Sequence, residues 1–150
     1  MSRAADISSI YPTSASRSSA ATTTFYYPVP YDIIVRSVTV TGINPAAADN
    51  DTLRVVVDYT AEGAGSYTTV ADTTADEYND TTDTNTLGAG GSTATAKTVG
   101  AADWGTLTFP GTRVAGGSIL RVREIWAGTV TDGQVQIGVH YTTLNDELSV

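Results

Sequence analysis

The stretch Thr52-Leu-Arg-Val-Val-Val-Asp-Tyr-Thr60 alternates with period two: Leu53, Val55, Val57 and Tyr59 fall on one side, Arg54 and Asp58 on the other. That spacing is a half-buried β-strand, with a core on one face and water on the other. The same alternation recurs over 134–142, where Val135, Ile137, Val139 and Tyr141 share the inner phase. Weaker versions occupy 22–28, 32–41, 66–71, 93–99, 104–109 and 118–126. Turn residues separate them at Pro28-Val-Pro30, Glu62-Gly-Ala-Gly65, Gly100, Pro110-Gly111 and Gly116-Gly117. No segment holds a helical period over ten residues. Eight short strands broken by Gly and Pro predict an all-β fold, a single antiparallel two-sheet sandwich. A jelly roll is preferred because eight strands fill its two sheets, with an immunoglobulin-like strand order as the alternative.

Composition agrees with this. Threonine, β-branched and suited to a half-solvated pleat, makes up about a sixth of the 150 residues. Sixteen acidic side chains against eight basic ones leave a formal charge of −8, with Lys97 the single lysine. Phosphate contacts come mainly from Lys and Arg, so nucleic acid is not an expected partner. The lack of cysteine excludes disulfide scaffolds, thiolate zinc sites and cysteine nucleophiles. No apolar run follows Met1-Ser-Arg-Ala-Ala-Asp6, so no secretory leader is expected, and no 18 successive apolar residues exist to cross a membrane as a helix.

Residues 1–21 are Ser-, Ala- and Thr-rich, with Ile7, Ile10 and Tyr11 isolated among them. They show no period and are read as an extended N-terminal arm outside a sandwich domain of residues 22–150, available to lie on a neighbour. A phase change between Val35 and Val38 predicts a β-bulge near Arg36-Ser37.

Each candidate for chemistry has a plainer reading. His140, the only histidine, lies on the outward phase of the last strand; alone it cannot build a typical zinc site, and an outward imidazole is favoured over a catalytic base. No serine stands in a G-x-S-x-G elbow, and Gly88-Ala-Gly-Gly91 lacks the Lys-Ser/Thr of a phosphate loop. Asp72, Asp76, Glu77, Asp80 and Asp83 are carboxylates that calcium could use, as are Asp49 and Asp51. Their spacing matches no calcium loop, so a solvated acidic loop is favoured. Glu124 and Arg36 share the apolar phase of their strands. Either they pair within the core or, as we favour, a bulge at each turns the charge outward. Trp104, out of phase with Leu107 and Phe109, is a candidate for stacking on sugar rings; aromatics of a small sandwich more often serve core or interface. No catalytic residue, cofactor or metal site is assigned, and no enzyme activity is expected.

Phe25-Tyr-Tyr-Pro-Val-Pro-Tyr-Asp-Ile-Ile-Val-Arg-Ser-Val-Thr-Val-Thr41 combines an aromatic strand, a Pro-x-Pro corner and an Ile-x-x-Val-x-Val strand. It resembles the entry into small jelly-roll domains of tailed-bacteriophage virion proteins, namely capsid decoration (cement) proteins and fibre domains. The likeness continues through 52–60 and the final strand and includes no invariant motif. It implies a non-enzymatic shell component on the capsid surface of the virion. Such a component is commonly trimeric and bound to the major capsid protein or another virion protein and to copies of itself. Neither nucleic acid nor membrane is implied as a partner. The alternative is a carbohydrate- or receptor-binding module of a fibre or a secreted enzyme.

Overall fold

The computed structural model describes residues 8–13, 19–44, 51–61, 64–73, 76–77, 84–86, 93–94, 96–98, 105–128 and 134–144. In chain order the strands are β1 (Ser8–Ile10), β2 (Ala21–Pro28), β3 (Ile33–Asn44), β4 (Asp51–Thr60), β5 (Thr68–Asp72) and β6 (Asp76–Glu77). They continue with β7 (Thr84–Thr86), β8 (Thr93–Ala94), β9 (Ala96–Thr98), β10 (Gly105–Val114), β11 (Ile119–Gly128) and β12 (Gln134–Thr143). One sheet runs β1-β12-β3-β10-β8 and the other β2-β11-β4-β5, with β6 also on β4 and β7-β9 as a separate pair.

The order has a simple origin. β1 pairs with β12, β2 with β11, β3 with β10 and β4 with β5, as in one long hairpin folded double, and every pairing is antiparallel. Rolling that ribbon sets β12 beside β3 and β11 beside β4. The result is a jelly roll, as the sequence led us to expect, with β6 to β9 carried on the excursion between β5 and β10.

Apolar positions of the alternating strands face each other across the two sheets. Val35, Val38, Val40, Ile137 and Val139 from one sheet belong to the same core as Leu53, Val55, Val57, Leu120, Val122 and Trp126 from the other. Each fully buried aliphatic side chain stabilises the fold by about 1.5–3 kcal/mol over its exposed state.

The bulge lies where the phase change predicted it. Ser37 pairs with His140 and Val35 with Tyr141, leaving Arg36 as the extra residue, exposed on β3. Against β10 the register steps from Ser37–Thr108 to Val35–Thr112. The Pro110-Gly111 turn signal therefore lies inside β10, where Gly111 takes a φ of 112°. A Cβ there would meet Ile34 Cγ2 at 2.7 Å, so only glycine suits both the backbone and the space.

The N-terminal stretch differs in part from the expected arm outside the sandwich domain, because residues 8–13 lie on the chain's own sheet. Ser8–Ile10 pairs with Val139–Tyr141 as β1, Ile137 N–H donates to Pro12 O at 3.0 Å, and Thr13 bridges to Gln136. Ile10 packs on the core. Three residues with one apolar side chain carry no readable period, so backbone pairing to an edge, invisible in the sequence, decides this strand. The expected boundary at 21/22 falls one residue inside β2, which begins at Ala21.

Candidate functional site: the two outer sheet faces

Period two puts Arg121 and Arg123 of β11, and Arg54, Val56 and Asp58 of β4, on the outer face of the β2-β11-β4-β5 sheet. Register then sets Arg121 between Tyr26 and Asp58, and Arg123 between Thr24 and Val56. Arg121 grips Asp58 with two parallel bonds, Nε to Oδ1 at 2.7 Å and Nη2 to Oδ2 at 2.6 Å. Arg123 Nη2 donates to the same Oδ2 at 2.9 Å. Asp58 is 2% exposed although it points away from the core; the guanidiniums that cover it also satisfy it. The Tyr67 ring caps the cluster, 3.4 Å from the Arg121 guanidinium carbon, in a cation–π contact. Hydrogen bonding to Asp58 is the main influence raising the Arg121 pKa.

Beside this cluster Arg54 chelates Asp72, with Nε to Oδ1 at 2.8 Å and Nη2 to Oδ2 at 2.6 Å. Val56 is buried on the same outer face, with Arg123 and Asp72 as its cross-strand neighbours. Long side-chain stems can shelter such a residue. Two guanidiniums share one carboxylate here, so this part of an acidic chain carries excess positive charge. Tyr26 and Tyr67 stand exposed around it.

The outer face of the other sheet is built differently. Its polar centre is His140, whose Nδ1 lies 2.7 Å from Ser9 Oγ of β1 and whose Nε2 lies 3.0 Å from Thr39 Oγ1 of β3. Tyr11 meets the imidazole edge-on, with centroids 5.7 Å apart. Gly138 makes room for this group: a Cβ there would come within 2.3 Å of Thr39 Oγ1, 2.9 Å of His140 Nε2 and 3.0 Å of Tyr11 Cε1. Partial burial lowers the His140 pKa and favours the neutral ring. His140 is outward, as parity implied, and it ties the N-terminal strand to the sheet through hydroxyls. A serine beside an imidazole resembles half of a nucleophile–base pair, but the group orienting this ring from its other side is a threonine hydroxyl, not a carboxylate.

Glu124 departs from expectation. The register of β11 with β4 runs unbroken from Ile119 to Gly128, so no bulge turns it out. It is fully buried and accepts the indole N–H of Trp126, two residues along on the same face. Arg36 is exposed, so the two charges are not buried together.

At one end of the sandwich Asp32 joins the β2–β3 corner to the β10–β11 turn, accepting Gly116 N–H at 2.8 Å and both Nε and Nη2 of Arg113. The Gly116 bond, then Arg113, holds its carboxyl below the usual range. A Cβ on Gly116 would meet the Tyr31 Cα at 2.9 Å.

Among the described residues, no three His, Asp or Glu side chains converge as metal ligands. Of the acidic candidates, Asp72 is held by Arg54, whereas Asp49, Asp80 and Asp83 lie outside the described residues, as do Trp104 and the segment 88–91. Only the backbones of Asp51, Asp76 and Glu77 are described, as strand residues. A cleft of about 40 Å³ opens between Ile10, Tyr27, Pro30, Tyr31 and Tyr141, room for a few waters rather than a sugar or cofactor. No protein-family model matches the chain, and no curated protein matches it.

Proposed function

We propose that this chain is a structural virion component, a decoration or cement protein that binds the outer capsid surface and neighbouring subunits. The nested jelly-roll order carries the reading, taken with the resemblance of residues 25–41 to small jelly-roll domains of tailed phages. The described surface offers two outer sheet faces for adhesion, one laced with ion pairs and one with hydroxyls around an imidazole. An acidic outer-surface protein would also leave the packaged genome alone.

Since residues 8–13 lie on the chain's own sheet, the segment left for lacing to the shell is residues 1–7, about 25 Å if extended. Its binding would depend on many identical copies, because ordering each residue costs about 1–2 kcal/mol. The test is co-sedimentation of full-length chain and a 1–7 deletion with phage particles purified from cells that make the chain. The full chain should pellet with particles in fixed stoichiometry and the deletion should bind more weakly. A full chain that stays in the supernatant would overturn the proposal.

A second reading has one observation in its favour. Exposed Tyr26 and Tyr67 stand beside Arg121 on the outer sheet face, and exposed aromatic rings are surfaces on which sugar rings can stack. A glycan array that retains the chain, with retention lost in Tyr26→Ala, would favour a carbohydrate-binding module.

A further inference from the structure

The edges of the two sheets are treated differently. The β12 margin is covered by residues 8–13, with Pro12 buried among them. The β4 margin is taken by β5 and then β6, joined by Thr73, whose N–H donates to Val55 O at 2.9 Å; those strands carry Asp72, Asp76 and Glu77. Charge on an edge is a common guard against further pairing. β2 has no such guard. Its eight residues, Ala-Thr-Thr-Thr-Phe-Tyr-Tyr-Pro, are uncharged and rich in β-formers, and among the described residues no strand lies beyond them. Both sides of a strand added there would find apolar surface. Tyr26 stands 59% exposed on the outer face, and the cleft lined by Ile10, Tyr27 and Tyr141 opens on the inner side.

We propose that β2 is a self-association edge, pairing antiparallel with β2 of a second copy to join two four-stranded sheets across a two-fold axis. Self-pairing is favoured because copies of net charge −8 repel over most approaches, and this seam brings no charged strand residue to the contact. Identical strands in antiparallel also satisfy a closed two-fold contact without further chemistry.

Parity limits the register. To keep outer residues opposite outer ones, the axis must pass through a residue rather than between two. An axis at Thr24 sets Thr22 against Tyr26 and Thr23 against Phe25, and an axis at Phe25 sets Thr24 against Tyr26 and Thr23 against Tyr27. In either register threonine–aromatic pairs, which are favourable cross-strand neighbours, flank the axis. This inference does not depend on the virion reading, and failure of one leaves the other standing.

The full chain should sediment at twice its 15.6 kDa mass. Thr24→Lys, half-buried on the edge strand, sets like charges at or next to the axis and should yield monomer with an unchanged circular dichroism spectrum. Thr69→Lys on the far edge should leave the dimer intact. Because the chain has no cysteine, Thr24→Cys provides an independent readout: a short bis-maleimide linker should join two copies at high yield. Monomer at every concentration, an assembly indifferent to Thr24→Lys, or a Thr24→Cys protein that does not cross-link would each overturn the proposal.

Discussion

The two outer faces of the sandwich solve the same problem, covering a sheet on its wet side, by different chemistry. On the β2-β11-β4-β5 face a buried carboxylate is held by two guanidiniums under a tyrosine ring. On the β1-β12-β3 face an imidazole sits between two hydroxyls, while Arg36 stands exposed at the β3 bulge. The first is rigid and specific, since planar bidentate bonds fix both partners. The second is adaptable, since hydroxyls rotate to donate or accept. The ion pairs thus tie β11 to β4, and the hydroxyls hold the N-terminal strand in place.

Removing the carboxylate should separate the two faces most sharply. Asp58→Ala leaves Arg121 and Arg123 facing each other, and loss of a buried pair's partner costs about 3–5 kcal/mol when both groups are enclosed. With those guanidiniums 18% and 31% exposed, we expect a smaller loss of about 2–3 kcal/mol in denaturant unfolding. No change would mean that Asp58 is not the organiser of that face.

On the β1-β12-β3 face Gly138→Ala should cost about 1–3 kcal/mol by crowding Thr39, His140 and Tyr11. Faster hydrogen exchange should appear over residues 8–13 and not over β4. A uniform loss across both sheets would contradict the local role assigned to Gly138.

Tyr67→Ala should cost less, about 0.5–1 kcal/mol, and the loss should shrink as salt is added.

The smallest effect expected is that of pH on His140. Its folded pKa lies below the usual 6.5, so its contribution to stability is fully present above pH 6.5 and is lost as pH falls through the folded value. Stability followed by thermal unfolding should therefore decline on acidification in this window, and His140→Gln should flatten the decline. The opposite slope would show that the ring is charged in the fold.

Much of the fold was legible because alternation is a local signal. The strands from β2 to β5, and β10 to β12, follow from period two, and the phase slip at Arg36 located its bulge. What escaped depends on partners distant in sequence. β1 exists because β12 offers it an edge. Pro110-Gly111 reads as a turn, yet it lies opposite the Arg36 bulge within a continuing strand. Glu124 and Arg36 gave the same parity signal with opposite outcomes. Trp126 offers Glu124 a donor inside the core, whereas a bulge carries Arg36 out. Parity placed Asp58 outward, but that it would be buried by Arg121 and Arg123 needed the register of β4 on β11.

Cryo-electron microscopy of phage particles from cells that make this chain tests the structural role most directly. The account predicts eight-stranded sandwiches on the outer shell, repeated at symmetry-related positions and absent from maps of particles assembled without the chain. Identical shells with and without it, with the chain left free in the lysate, would contradict it.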